Sequence, residues 1–281
     1  MICGLETEET NPAAKEAVEL YVKAWYLLHD GEAFNTQSSI LQPVVYNGEK
    51  AMLKIAMAAE EHRGAFLMRC WNGNGAAKIF RHDKNALLME RAVGPRSLKH
   101  MVAAGNEDEA NRIICDVAAK LHSAKCSDRS KLVPLPVWFE ALKPAASRLG
   151  GEFVRCNKTA NELLNAPLDD VILHGDIHYE NVLDSGTRGW IAIDPKGLTG
   201  ERGFDFANLF CNPDAKTALA PGRLPKQIKL IANEAGLKPK RLLQWIIAWA
   251  GLSAAWVLDD GEDAGFQITV AKIALSELDN F

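Results

Sequence analysis

The sequence has no surplus of positive charge: 32 lysines and arginines against 36 aspartates and glutamates leave a net charge of −4 and a pI near 6.0. Nothing in that balance favours a nucleic acid or an anionic membrane as partner. Six cysteines (Cys3, Cys70, Cys115, Cys126, Cys156, Cys211) include no CxxC pair and no framework spacing. In a chain this long the pattern reads as free buried thiols in a reducing compartment, not as disulfides or a zinc site. The amino terminus, MICGLETEETNP, lacks the basic and then apolar run of a secretory signal. Long hydrophobic runs are missing too. The longest, Trp245 to Leu258, spans 14 positions interrupted by Gly251 and Ser253, too short for a bilayer and suited to a buried helix. These absences point to a soluble, cytoplasmic protein of unknown oligomeric state. There is no glycine-rich GxGxxG, no internal repeat and no low-complexity tract.

What is present is the composition of a folded globular chain, 48% hydrophobic and 24% charged. A length of 281 residues is more than one core usually serves and predicts two lobes. Asn11 followed by Pro12 marks a helix start. Ala14, Val18, Tyr21, Val22, Trp25 and Leu28 then recur at helical spacing before Gly31, predicting a helix over 12–29. Residues 40–46 and 49–56 flank Asn47-Gly48, which tolerates both positive φ angles of a type I′ turn, and read as a hairpin. Residues 57–71 read as a helix ended by Asn72-Gly73-Asn74-Gly75, and 76–80 and 86–90 as short strands. Past a hinge near 91–95 the pattern is mostly helical, with one strand pair at 182–184 and 190–194. The expected division is a small α+β lobe over 1–92 and a larger helical lobe over 93–281.

The stretch 171–194, VILHGDIHYENVLDSGTRGWIAID, carries the chemistry. With Thr187 and Arg188 at the centre of a turn, Asn181 faces Asp194 across a hairpin at a Cα separation of about 5 Å. An amide oxygen and a carboxylate at the open end of a β-ribbon make a hard, oxygen-only half-site. Mg²⁺ suits it, because that ion keeps several waters and takes further ligands from phosphate. Asp176, five residues before Asn181, adds a proton acceptor alongside. A base and two metal ligands at this spacing are the parts of phosphoryl transfer. The bland alternative is a polar turn whose aspartate caps a helix and whose histidine packs. A different chemistry is also open: His174, Asp176 and His178, as H-x-D-x-H, suit a hydrolase holding Zn or Mn.

The first lobe offers an ATP clamp. Pairing about Asn47-Gly48 puts Lys54 opposite Leu41, at the hairpin end where Asn35, Thr36, Gln37, Ser38 and Ser39 form a polar loop. Lys54 would reach α/β-phosphates while Ser38, Ser39 and their backbone cover them; taken alone, a strand lysine is an edge gatekeeper. Of the two carboxylates that follow, Glu61 shares a helical face with Ala58, Ala65 and Met68, so Glu61 is preferred over Glu60 as the partner of Lys54. The carbonyl of Glu90 and the N–H of Ala92 lie where adenine would pair.

With these residues in hand, the chain resembles the aminoglycoside phosphotransferase family, and within it the streptomycin 6-phosphotransferase and hydroxyurea phosphotransferase subfamily. The strongest match is LHGDIHYENVL…GWIAIDPKGLTGERGFDFANLFCNP; Glu61–Ala65 and Trp71–Gly75 match further segments. The resemblance implies a bilobal, protein-kinase-like α+β fold and an ATP- and Mg²⁺-dependent small-molecule kinase. It implies Asp176 as base, Asn181 and Asp194 as Mg²⁺ ligands, Lys54 with Glu61 as the phosphate-holding pair, His174 as brace of the catalytic loop and Asp205 as its anchor. An aminoglycoside such as streptomycin, hydroxyurea or a non-antibiotic metabolite is the implied acceptor.

On the acceptor side, Trp256 with Asp259, Asp260, Glu262 and Asp263 would suit a guanidinium or ammonium group. The same residues also read as a solvated loop with an acidic cap before the next helix. His178, inside the catalytic loop, is either a substrate contact or a bystander.

Overall fold

The computed structural model describes residues 12–36, 38–58 and 60–281; Cys3, Asn11 and Gln37 lie outside them. The first part runs α1 (Pro12–Ala24), β1 (Leu28–His29), β2 (Phe34–Asn35), β3 (Ser39–Tyr46), β4 (Glu49–Ala56), α2 (Glu61–Trp71), β5 (Ile79–His82) and β6 (Ala86–Glu90). The second runs α3 (Leu98–Ala103), α4 (Glu107–Ser123), β7 (Val133–Pro134), α5 (Leu135–Trp138), α6 (Leu142–Leu149), α7 (Gly151–Asn165) and β8 (Asp170–Leu173). It continues through β9 (Val182–Asp184), β10 (Trp190–Ala192), β11 (Leu198–Glu201), a 3₁₀ stretch Arg202–Cys211, α8 (Ala215–Ala218), α9 (Arg223–Glu234), α10 (Pro239–Asp259) and α11 (Gly265–Leu278).

The β3–β4 hairpin turns at Asn47 and Gly48, both at positive φ, and sets Lys54 opposite Leu41. Strand alternation then sorts the side chains onto two faces. Ile40, Val44, Ala51, Leu53, Ile55 and Leu88 turn outward and pack beneath Val18 and Val22 of α1 and Trp25 just after it. Lys54, Leu87 and Met89 turn the other way, towards α2 and the cleft. The sheet order is β1-β3-β4-β6-β5, with β2 also paired to β3.

The predicted helix over 12–29 ends early. Its last turn closes with Tyr26 at φ 56° and the Leu27 N–H bonded to the Val22 carbonyl, a Schellman end made without glycine. Leu28 and His29 then pair with β3 as an edge strand, and Leu28 is exposed instead of lying on the helical stripe. The helix expected over 57–71 starts at Glu61, and the strand expected over 76–80 at Ile79. A further sheet, β7-β11-β8, is built from strands of two to four residues, too short to show a period in the sequence.

In the larger part, α10 is apolar around its whole circumference because α7, α11, α9 and the 3₁₀ stretch surround it. It is long and apolar enough to cross a membrane, yet most of it is buried within the protein. The same core cluster runs on into α2 and β6, through Leu67, Met68, Trp71, Leu87 and Met89. The two parts are therefore welded along α2, not merely joined at 91–95. The cysteine expectation needs correction here: Cys70, near the end of α2, and Cys126, beyond α4, form a disulfide with Cα atoms 5.2 Å apart. Chain segments 56 residues apart meet there, a closeness that spacing alone does not disclose. Cys115, Cys156 and Cys211 are free.

Candidate active site

Strand β8 delivers the chain into the loop 174–181. His174 is fully buried: its Nε2 is 2.8 Å from the Ile193 carbonyl, its Nδ1 accepts the Asp176 N–H, and its ring stacks on Trp71. With both nitrogens engaged, Nε2–H donates and Nδ1 accepts, so the ring is neutral; burial lowers its pKa against the pull of Asp205 and Asp176. Asp205 accepts the backbone N–H groups of His174 and Gly175 at 3.0 and 2.8 Å and contacts His122 Nε2 at 2.7 Å. Gly175 is at φ 84°, and a Cβ there would lie 2.8 Å from Leu198. The loop is thus fixed by its backbone, which leaves the side chain of Asp176 free for chemistry.

That carboxylate is partly exposed. Asn208 donates to its Oδ1 at 2.9 Å, Lys196 Nζ stands 3.9 Å from its Oδ2, and His178 Nε2 stands 4.0 Å from its Oδ1. Asn212 in turn donates to Asn208 Oδ1.

Asn181 donates its amide to the Asp176 carbonyl at 2.9 Å, which directs Oδ1 elsewhere. The hairpin register differs by one residue from expectation: Trp190 faces Asp184 and Ile191 faces Leu183, so Asn181 faces Ile193, whose N–H it accepts. The loop closes symmetrically about Thr187 through the Ser185 N–H and the Gly189 carbonyl, which moves the pairing by one. Strand β10 ends at Ala192, and Asp194, at φ 61°, has left it and turned its carboxylate back to the cleft. Asn181 and Asp194 remain neighbours, Asp194 being the residue next to the one Asn181 faces.

Lys54 crosses to this point from the other lobe. It bonds Asp194 and, at 2.5 Å, Glu61, whose second oxygen accepts from Ser38. Burial depresses the lysine's pKa, but the Asp194 and Glu61 carboxylates together raise it above its ordinary value. Burial likewise acts against charge on Asp194, and Lys54 overrides it and holds the carboxyl below its usual range. A cavity behind this pair is lined by Leu41, Lys54, Glu61, Met68, Met89 and Asp194. Glu60 is exposed.

Other expected residues lie elsewhere or are engaged. Ser39 is fully buried, its N–H donated to Thr36 Oγ1, so it turns inward instead of covering phosphates with its hydroxyl. Glu90 lies at the end of β6 paired with Ala51, its carboxylate taken by Ser185 and Arg188. Among the described residues no backbone bond engages the Ala92 N–H. Trp256 packs edge-on against Trp138 and Trp249, Asp259 pairs with Arg148 at 3.1 Å, and Asp263 accepts the Gly265 N–H at the start of α11. Asp260 and Glu262 are exposed. Among the described residues no hydrogen bond or ion pair joins this acidic loop to residues 174–181.

The H-x-D-x-H hydrolase alternative fails on His174, which has no nitrogen to give a metal. Among the described residues no group of three or more His, Cys, Asp or Glu side chains gathers as a metal site. Sequence reasoning missed His122, Asn208 and Lys196 at the loop. It also missed Asp184, which accepts from Arg96 and pins the hinge to β9, where a Cβ on Gly94 would collide with it.

The chain has curated relatives among the streptomycin kinases. Streptomycin 3''-kinase of Klebsiella pneumoniae is 46% identical over 255 residues, covering 85% of this chain and 92% of that protein. Streptomycin 6-kinase of Streptomyces griseus is 28% identical, covering 91% and 86%. Among solved structures, a Plasmodium vivax ethanolamine kinase superposes with a TM-score of 0.61 at 16% identity, covering 98% of this chain and 92% of that one. A thermostable mutant of aminoglycoside phosphotransferase APH(4)-Ia, in ternary complex with ADP and hygromycin B, gives 0.59 at 13% identity, covering 93% and 96%. These likenesses show the bilobal kinase-like fold. The family model described as aminoglycoside/hydroxyurea antibiotic resistance kinase matches residues 24–261, and the chain belongs to that family of small-molecule phosphotransferases.

Proposed function

We propose that the chain transfers the γ-phosphoryl group of ATP to a hydroxyl of streptomycin, with the 3''-hydroxyl as acceptor. The observation that carries this reading is the convergence of Asp176, Asn181 and Asp194 beside the Lys54–Glu61 pair. The choice of hydroxyl follows the 46% identity to a 3''-kinase against 28% to a 6-kinase. The residues fit Mg²⁺: the Asn181 amide nitrogen is tied down, its oxygen is left over, and Asp194 keeps one oxygen clear of Lys54, an oxygen-only donor set. Bound there, Mg²⁺ would neutralise phosphate charge.

The chain's own residues do the rest. Lys54, held by Glu61, orients the α/β-phosphates. Asp176, aimed by Asn208, takes the hydroxyl proton as the oxygen attacks phosphorus in line, and ADP departs. His174 and Asp205 keep the loop rigid while this happens. ATP supply fits a cytoplasmic site of action.

The test is ADP release with streptomycin, other aminoglycosides and hydroxyurea as acceptors, followed by NMR assignment of the phosphorylated position. Asp176→Asn is expected to lower kcat by about 10²–10⁴ with ATP affinity kept. Wild-type turnover in that variant would remove the base assignment, and turnover on hydroxyurea alone would remove the acceptor assignment.

A further inference from the structure

Lys196 is the group at the site that the reading above leaves without work. It follows Asp194 by two residues, and its backbone N–H is donated to the His174 carbonyl at 2.8 Å. Its stem lies against Gly175, where a Cβ would come within 3.1 Å of the Lys196 Cβ, so the loop glycine leaves this side chain its path. Gly197, next along, packs onto the backbone of Arg63 in α2. The ammonium is therefore brought to the cleft by backbone held on both sides. Among the described residues Asp176 is its one carboxylate neighbour within 4 Å, at 3.9 Å, beyond hydrogen-bonding reach. Both side chains are more than a quarter exposed, and an open pair at that distance contributes little to stability.

We infer that Lys196 is a catalytic residue of the phosphoryl transfer, donating its N–H groups to the equatorial oxygens of the γ-phosphoryl group between Asp176 and Asp194. This inference rests on the proposed function. In the ground state the carboxylate of Asp176 faces the ammonium. As the acceptor oxygen bonds to phosphorus, its proton passes to Asp176 and the bond from phosphorus to the β-phosphate oxygen breaks, leaving ADP. Asp176 then carries no charge, and the ammonium has lost its counter-charge at the moment negative charge spreads over the transferring group. Lys196 gives up no proton and forms no covalent bond. Its attraction to the phosphoryl oxygens grows along the reaction, the condition for raising kcat instead of merely tightening binding.

The experiment compares Lys196→Met, which keeps most of the stem, Lys196→Arg, which keeps the charge, and Asp176→Asn. Turnover is measured with ATP and streptomycin, and calorimetry measures binding of ADP with and without aluminium fluoride. Lys196→Met is expected to lower kcat by about 10²–10³. Its KM values stay within about threefold, and aluminium fluoride no longer tightens ADP binding. Lys196→Arg retains part of both. Near-wild-type turnover in Lys196→Met beside an inactive Asp176→Asn would overturn the inference while leaving the proposed function standing. Retention of the aluminium fluoride effect, or an equal loss of plain ADP affinity, would overturn it as well. Normal turnover in Asp176→Asn would remove the underlying reading and this inference with it.

Discussion

Asp176 is held by a residue that no spacing rule points to. Asn208 lies 32 positions away in the 3₁₀ stretch, donates to the carboxylate at 2.9 Å, and is itself held by Asn212. A carboxylate fixed by one donor presents its other oxygen to the acceptor in one orientation. Asn208→Ala is expected to lower kcat by about tenfold with KM for ATP unchanged, since misalignment of a base acts on the chemical step. Steady-state kinetics checks this, and an unchanged kcat would show that the loop alone orients Asp176. Residues whose partners lie on one hairpin or the next helix were legible in the sequence: Lys54 opposite Leu41, and Glu61 on the inward face of α2. Asn208, His122 and Lys196 were not, because each reaches the loop from a separate turn of chain brought there by packing. Ser39 shows the opposite error, where the polar character of a loop hid that one hydroxyl points into the protein.

Whole elements obey the same division between local pattern and tertiary contact. The Asn47-Gly48 turn dictated the β3–β4 register by backbone chemistry alone, and that pairing came out residue for residue. The second hairpin closes through a five-residue loop, whose centre is not marked by a single dipeptide, and the register moved by one. Helix α1 ends on a left-handed tyrosine, so the glycine that followed misled the boundary. Helix α2 carries a constraint that is visible only in three dimensions. A Cβ on Gly64 would stand 2.4 Å from the carbonyl oxygen of Pro195, between Asp194 and Lys196. Gly64→Ala must therefore push α2 from the segment that bears both side chains. Overpacking of this kind costs about 1–3 kcal/mol, and loosening the Lys54–Glu61–Asp194 contact should weaken ATP binding as well. Denaturant unfolding and ATP titration of the variant test the two effects separately. Unaltered values in both would mean that α2 can slide without disturbing the cleft.

At the scale of the molecule, the two lobes are joined by three connections that involve α2: the Lys54 bridge to Asp194, in which Glu61 of α2 also holds the lysine, the Cys70–Cys126 bond, and the stacking of Trp71 on His174. His174 lies where the last of these meets the catalytic loop, and its neutral ring is an element of the weld between lobes. Burial depresses its pKa below 6.5, although the carboxylates of Asp205, Asp176 and Asp194 face it and favour the charged form. In the unfolded chain the same ring titrates at about 6.5. Well above that pH neither state binds the proton, and the contribution of the ring is fully present. As pH falls below 6.5 the unfolded chain takes up a proton that the folded ring refuses, and stability declines by up to about 1.4 kcal/mol per pH unit. The decline continues down to the folded pKa, where protonation puts a hydrogen on Nδ1 and sets it against the Asp176 N–H. The carboxyls held low, Asp194, Asp30 and Asp214 among them, act in a separate window, at and below their ordinary value of 3.8. Urea unfolding at pH 7.5, 6.5 and 5.5 is therefore expected to show a fall that is small in the first interval and larger in the last. His174→Gln, less stable throughout, should show a smaller fall there, and equal slopes in the two proteins would show that the ring charges in the folded state as freely as in the unfolded one.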